Sequence, residues 1–271
     1  MQIEIILILF AAGVVAGIFS GMFGLGGGIV IIPALITTYT SQNLFPEYAV
    51  HVAFATSLFT VIFTSLSSSY RHLRNKNVII KASIIVGISS SVSVIVFSKI
   101  AVLLPGDILK KIFSVLLFIV AVKMLLEKNR DEANKEGEEE FSYNNVLCSI
   151  TGILSGAVAA FSGLAGGVFL IPLLHYVLKF DIKKAIGTSS LAILLTAASG
   201  VIGYLINKPD GIVFPGYSIG MVDVISALPV IAGSVPFAHV GVMIHRKVQS
   251  NMLKKLFAVF VLLVSIRMFF L

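Results

Sequence analysis

The chain has 271 residues, of which 57% are hydrophobic and 12% are charged, and its mean hydropathy is +1.02. This excludes an ordinary soluble domain, in which about 25% of residues are charged. The net charge of +7 does not indicate nucleic-acid binding, because membrane proteins concentrate Lys and Arg in cytoplasmic loops. The single cysteine, Cys148, excludes an internal disulfide and offers no metal site, so we expect neither a metal nor a cofactor.

In chain order, the first half contains four apolar segments, A to D, over about 3–40, 47–70, 78–98 and 108–126. The second half repeats them over about 145–177, 185–206, 219–244 and 253–271. Runs of roughly 20 apolar residues match the length that a bilayer requires of a helix. We therefore predict an all-α polytopic membrane protein of two repeats, 1–126 and 144–271. The acidic stretch between them, 127–143, is expected to be a solvated linker.

Four sequence stretches recur in the same order in both halves, which indicates an internal duplication. The clearest pair is GLGGGIVIIP (24–33) and GLAGGVFLIP (163–172). A second pair, LKKIFSVLLFIVAVKM (109–124) and LKKLFAVFVLLVSIRM (253–268), has seven identities in sixteen positions. The others are TSLF from Thr56 with TSSL from Thr188, and NVIIKASIIVG (77–87) with DVISALPVIAG (223–233).

The distribution of basic residues predicts how the two repeats are oriented. If segment A crosses the membrane once, both repeats point the same way and the 20 Lys and Arg residues divide ten to ten. If segment A enters and returns, the second repeat is inverted and fifteen share one side, opposite Lys99, Lys110, Lys111, Lys208 and Arg267. The second distribution obeys the positive-inside rule. We therefore predict inverted repeats of eight to ten membrane segments in all, both termini outside, and the linker in the cytoplasm.

Each segment A is broken by glycines that are followed by a proline. Irregular backbone at membrane depth must sit inside protein or line a cavity. Where a helix restarts after such a break, its first N–H groups have no partner inside the helix, and its positive dipole end favours an anion. We predict a binding site at these glycines, with Pro33 and Pro172 as hinges in the helices that follow. The glycines are Gly24, Gly26, Gly27, Gly28, Gly163, Gly166 and Gly167.

Other glycines and small polar residues have alternative roles. Gly13, Gly17 and Gly21, spaced four apart, favour close helix packing rather than a site. The hydroxyls that begin segment B could complete the hydrogen bonding of an oxyanion, or could bond to their own helix backbone. These hydroxyls belong to Thr56, Ser57, Thr188, Ser189 and Ser190, and Ser20, Thr60 and Ser162 are weaker candidates.

Ionisable residues in or beside the spans are few. Arg71 at the end of segment B marks the cytoplasmic face, with recruitment of an anion as a second role. His51 and His175 lie near helix ends, whereas His239 lies deeper. AFSGL (160–164) faintly matches an intramembrane serine protease, with His239 as a partner for Ser162. The repeat shares the glycine and not the serine, so we predict no enzyme.

Taken together, GLGGGIVIIP, GLAGGVFLIP, the TSL and TSSL starts of segment B and HLRNKNV (72–78) resemble the sulfite exporter TauE/SafE family. The resemblance covers nearly the whole chain except 127–143. It implies a transporter of small sulfur-containing anions, such as sulfite, sulfoacetate or other organosulfonates, in a bacterial inner membrane. It also makes the glycine breaks and the segment B hydroxyls the substrate-site candidates. In the second copy Ala165 replaces the glycine at Gly26.

The alternatives are a transporter or channel for a different small anion or solute. A cation channel would need intramembrane carboxylates, and Asp223 and Glu47 are the only acids near the spans. As partners we expect the anionic substrate and the lipid bilayer, with a homodimer left open and nucleic acid excluded.

Overall fold

A computed structural model describes residues 3–126, 144–209, 214, 217–245 and 251–270. Within these residues the protein is helical almost throughout, and one short pair of antiparallel strands is its only sheet. The predicted all-α class is therefore confirmed. The linker predicted over 127–143 lies outside the described residues.

The first half contains five helices. Their bounds are α1 Ile3–Phe23, α2 Gly28–Ser41, α3 Ala49–Arg74, α4 Ile80–Leu103 and α5 Gly106–Leu126. α1 ends where Gly24 takes a left-handed φ of 64°, and α2 begins after Gly27, whose φ is 85°. Glycine adopts this conformation without the steric cost that other residues bear, so the local sequence itself separates the two helices.

The second half repeats this order and adds a hairpin. Its elements are α6 Asn145–Ser162, α7 Gly167–Pro172 with a π-helical turn over Leu173–Val177, α8 Ile182–Ile206, β1 Ser218–Ile219, β2 Val222–Asp223, α9 Val224–His245 and α10 Asn251–Phe270. Polar N-cap residues stabilise the first turns of α6 and α8. Asn144 accepts a hydrogen bond from the backbone of Val146 at 2.8 Å, and Asp181 accepts one from Lys183 at 3.1 Å. Such caps satisfy N–H groups that have no partner inside the helix.

Six of these helices are long and apolar enough to span a membrane. They are α1, α3, α4, α6, α8 and α9. α4 illustrates the consequence, because Ile84, Ile88 and Val92 lie on one face and are about half exposed. A row of large apolar side chains at this spacing suits lipid rather than water. The chain is therefore a multi-pass membrane protein.

The two halves are interleaved. α1 packs on α9, and its counterpart α6 packs on α4. The equivalent helices α3 and α8 pack on each other, as do α5 and α10. The first helix of each repeat thus packs against a helix of the other repeat.

The pairs of contacting residues show that the second half is inverted. α3 and α8 are antiparallel, because Gly200 lies against Leu58 whereas Ser190 bonds to Ser68. α3 and α9 are parallel, with Thr64 opposite Ser234 and Arg71 opposite His239. α4 and α8 are parallel as well, with Ser83 at Thr188 and Ser98 at Asn207. Equivalent helices of the two repeats therefore run in opposite directions, as predicted.

Segment A enters the membrane and returns, which is the alternative that the inversion requires. α1 runs parallel to α9, with Gly13 at Val230 and Gly21 at Ala238, and so it is also parallel to α3. The chain must come back between α1 and α3, and the 14-residue α2 makes this return. At about 1.5 Å per residue α2 covers only part of the bilayer core. Its first turn lies beside Ala16 in the middle of α1.

The glycines spaced four apart on α1 are a packing surface, as predicted. A Cβ atom added to Gly13, Gly17 or Gly21 would lie only 2.3, 2.3 or 2.0 Å from a backbone carbonyl oxygen of α9. Gly152 and Gly156 make the equivalent approach of α6 to α4. Glycine is required here because the helix backbones touch.

Candidate functional site

The two glycine breaks have the same backbone conformation. In the first, Gly24, Gly26 and Gly27 have φ values of 64°, 79° and 85°. In the second, Gly163, Ala165 and Gly166 have values of 65°, 52° and 75°. Ala165 adopts a left-handed conformation that costs a non-glycine residue about 1–2 kcal/mol. A turn that keeps this conformation despite that cost is held by its surroundings.

The breaks meet each other in the core. A Cβ atom on Gly28 would lie 3.3 Å from the carbonyl oxygen of Gly163, and one on Gly167 would lie 2.9 Å from that of Leu25. Each glycine that restarts a helix therefore faces the break of the opposite repeat. All the residues from 20 to 32 and from 162 to 168 are buried. The structure thus brings Gly28, Gly163 and Gly167 together, whereas Gly27 and Gly166 lie against Ala16 and Ser155 of their own repeats.

Backbone donors are unpaired at both breaks. Among the described residues, the N–H groups from Leu25 to Ile29 donate no hydrogen bond, and pairing resumes with Val30 to the oxygen of Gly27 at 3.1 Å. In the second break the N–H groups from 165 to 168 likewise donate none, and pairing resumes at Phe169. Buried N–H groups almost always have a partner. This arrangement therefore leaves buried, unpaired donors at both breaks.

The segment B serines hold these breaks in place. Ser57 on α3 donates to the carbonyl of Gly163 at 3.2 Å. Ser189 on α8 donates to the carbonyl of Ile186 in its own helix at 2.9 Å and shares this proton with the carbonyl of Gly24 at 3.3 Å. Each serine thus tethers the break of the opposite repeat. Their hydroxyls donate to backbone carbonyls in this structure, and their predicted contact with an anion stays a prediction.

The other predicted hydroxyls lie beside the breaks and have different partners. Thr56 accepts a hydrogen bond from the backbone of Asp223 at 2.9 Å, and Thr188 accepts one from Ile79 at 3.1 Å. These threonines anchor the starts of α9 and α4 respectively. Ser190 bonds to Ser68 at 2.5 Å, between α8 and α3.

Two further serines lie near the breaks, and their hydroxyls differ in hydrogen bonding. The hydroxyl of Ser20, one turn before Gly24, is fully buried and has no partner among the described residues. It is therefore a further free donor at the first break. Ser155, which the sequence analysis missed, donates to the carbonyl of Gly166 at 3.3 Å. Its equivalent in the first repeat is Ala16, and because an alanine offers no hydroxyl, comparison of the repeats gave no signal.

The hinge prolines differ from each other. Pro33 lies inside α2, which remains α-helical to Ser41. Pro172 ends α7, and the chain continues as a π-helical turn. Proline cannot donate to the preceding turn at either position, but only after Pro172 does the helical pairing change.

Arg71 and His239 form a pair at the basic end of the protein, with Nη1 of Arg71 2.9 Å from Nε2 of His239. The Nε atom of Arg71 is buried and has no hydrogen-bond partner among the described residues. Ser162 donates to the carbonyl of Val158 at 2.6 Å. The ring that the protease alternative would pair with Ser162 is thus bonded to an arginine.

Two inverted halves with broken helices that meet in the core are the architecture of an inverted-repeat membrane transporter. The model of the family described as sulfite exporter TauE/SafE matches residues 9–268, and the chain belongs to this family. It is 30% identical to a "probable membrane transporter protein" of Haemophilus influenzae, over 97% of this chain and 98% of that one. It is 31% identical to one of Methanocaldococcus jannaschii, over 91% and 89% of the two chains. No solved structure matches.

Proposed function

We propose that this membrane transporter carries small sulfur-containing oxyanions, such as sulfite or organosulfonates, and that the anion binds where the two glycine breaks meet. The observation that carries the proposal is the presence of buried, unpaired backbone N–H groups at two breaks that adjoin each other. The family description, sulfite exporter, supplies the class of substrate.

The donor set suits an oxyanion. The oxygens of sulfite and of a sulfonate accept hydrogen bonds, and backbone N–H groups at restarting helices supply donors together with a positive dipole end. The residues of both breaks are neutral. A site built from dipoles rather than from arginine holds its ligand weakly enough to release it. The free hydroxyl of Ser20 adds one neutral donor.

The serine tethers support alternating access. Ser57 and Ser189 each contact the break of the opposite repeat, so one contact of this kind lies on each side of the site. Opening the site toward one face would release one tether and keep the other. In this proposed cycle, a state in which both breaks are buried is closed to both faces.

The basic face is proposed to be cytoplasmic. Arg71 and Arg74 lie in the last turn of α3 and Lys76 follows it, while Lys183 and Lys184 lie at the start of α8, which is the same end of the molecule. The positive-inside rule then places both termini outside the cell membrane. Export of each negative charge from a cell that is negative inside gains about 2.3 kcal/mol per 100 mV. Arg71 would attract the anion from the cytoplasm.

The test is counterflow of labelled sulfite and labelled sulfoacetate in proteoliposomes. We expect exchange in the wild type and its loss in Gly27→Val and Gly166→Val. Gly106→Ala is the control, because its Cβ would make only ordinary contacts with Val50. Folding is checked by the elution profile of each purified variant.

Three results would contradict parts of this proposal. Exchange of another solute, with none of a sulfur oxyanion, would refute the substrate. Normal exchange in both folded valine variants would refute the site. Proteolysis that is abolished by Ser162→Ala would restore the enzyme alternative.

A further inference from the structure

One carboxylate is buried inside the protein at the end opposite the basic face. Asp223 closes β2 immediately before α9, and its residue is only 1% exposed. Its Oδ1 accepts hydrogen bonds from the backbones of Ile225 at 3.1 Å and Ser226 at 3.3 Å, which caps α9. Both hydrogen bonds use Oδ1, so Oδ2 lies outside the cap.

This carboxylate has no cationic partner. Among the residues that the structure describes, the only ion pair with an N–O distance within 4 Å joins Lys110 to Asp107 on the surface, and Asp223 takes part in none. A buried charge without an opposite charge is costly, and an ionisable residue within a membrane protein is a candidate for ion or proton binding.

Two buried hydroxyls without partners lie around Asp223. Tyr39 is fully buried, and its hydroxyl lies within interaction distance of the side chains of Asp223, Thr56 and Ser226, without well-aligned hydrogen-bond geometry among the described residues. Ser218 is paired with Asp223 across the β1–β2 ladder, so both side chains are on the same face. Its hydroxyl is also buried and unpaired.

The remaining groups packed around Asp223 are neutral. α2 contributes the titratable Tyr39, and α3 contributes Thr56. His51 lies more than a turn earlier on α3, and its ring faces the carbonyl of Leu104 at 3.0 Å. Among the described residues, β1 and the first turn of α9 add only hydroxyl and apolar side chains.

The cluster is absent from the other repeat. Asn77 occupies the position equivalent to Asp223, Leu178 the position equivalent to Tyr39, and Ile80 that of Ser226. Asparagine has the shape of aspartate without its charge. The duplication therefore has a titratable site at one end of the molecule only.

We propose that Asp223 is a proton-binding site that couples transport to the proton gradient, an inference that rests on the proposed transport function. A proton from the non-basic side bonds to Oδ2 and converts the carboxylate to a carboxylic acid, while Oδ1 keeps the α9 cap. No other bond is formed or broken, and release of the proton restores the carboxylate. Hydroxyls suit both states, because they donate to a carboxylate and accept from a carboxylic acid.

The experiment uses proteoliposomes that hold labelled sulfoacetate, whose charge is constant near neutral pH, with the membrane potential clamped at zero. If one proton enters per anion exported, the wild-type concentration ratio at equilibrium shifts about tenfold for each pH unit of gradient. Asp223→Asn is expected to lose this shift but to retain counterflow at equal pH, since asparagine also caps a helix. Glu47→Gln, which removes an exposed acid at the same end, is the matched control and should behave as wild type.

A second measurement does not depend on the substrate. Infrared difference spectra of the purified protein across a pH titration should contain a carboxylic-acid C=O band that Asp223→Asn removes, Glu47→Gln leaves intact and Tyr39→Phe shifts. If the band is present but sulfoacetate shows no counterflow, the substrate proposal fails and the proton site stands. An Asp223→Asn variant that keeps the pH-driven shift would overturn the inference. So would a gradient of Na⁺, rather than of protons, that drives the wild type but not Asp223→Asn.

Discussion

The serine tethers make a sharp prediction about the balance between the two faces of the transporter. Ser57 fastens the second break and Ser189 fastens the first. Because the repeats are inverted, removal of one hydroxyl should favour opening toward one face and removal of the other should favour the opposite face. The changes are Ser57→Ala, Ser189→Ala and the two combined.

The size of the effect follows from the geometry. Each tether is a buried, neutral hydrogen bond of 3.2 or 3.3 Å, and such a bond contributes about 1 kcal/mol net. A difference of about 1 kcal/mol between two states changes their ratio about fivefold. Ser57→Ala should therefore shift the ratio about fivefold, whereas Ser189→Ala should shift it less and in the opposite direction, because the Ser189 proton is shared with Ile186. The double variant should lie between the two single variants.

The assay is labelling of one reporter cysteine from either side of oriented vesicles. Leu25→Cys places it in the first break, in a chain whose native Cys148 is replaced by alanine. A membrane-impermeant maleimide gives the ratio of labelling rates from the two faces. Ser91→Ala is the control, because its hydroxyl also joins the two halves, to the carbonyl of Leu195 at 3.2 Å, but is exposed.

Two results would refute this reasoning. Single variants that shift the labelling ratio in the same direction would show that the tethers do not act on opposite faces. A Ser91→Ala variant that shifts it as far as Ser57→Ala would show that any bond between the halves has the same effect.

Two further predictions concern packing and topology. Gly17→Ala should lower the melting temperature by the equivalent of about 1–3 kcal/mol, because its Cβ would lie 2.3 Å from a carbonyl of α9. Gly106→Ala should leave the melting temperature unchanged, and equal melting of both variants would contradict the contact. Cysteines at Lys76 and Lys179 should be labelled from the same side of the membrane, and a cysteine at Lys208 from the other side. Labelling of Lys76 and Lys179 from opposite sides would exclude the inverted topology.

Much of the fold is predictable because the duplication is visible in the residues themselves. GLGGGIVIIP and GLAGGVFLIP locate both breaks, and the left-handed φ values fall on their glycines and on Ala165. Counting Lys and Arg identifies the inversion, since charge position records the orientation of a membrane helix. The four-residue spacing of Gly13, Gly17 and Gly21 is also enough to predict that they pack closely against another helix.

The contacts between distant segments are not predictable in the same way. Thr56 and Ser57 are neighbours in the chain, yet one anchors α9 and the other tethers the second break. Repetition identifies such residues but does not show which carbonyl each hydroxyl faces. Asp223 looks like a helix-end acid in the sequence, and only the fold places Tyr39 beside it. Because the equivalent residue in the first repeat is Asn77, a comparison of the two repeats does not identify this site.

The packing of α1 on α9 has a consequence for how the protein is made. α1 is translated long before α9, the helix that packs against its row of glycines. During synthesis the glycine surface of α1 therefore faces lipid or an insertion factor, and the first repeat cannot complete its packing. Such long-range pairing is formed late and slowly. If translation stopped before α9, α1 would have no partner helix. The incompletely packed first repeat would then be a substrate for quality-control proteases.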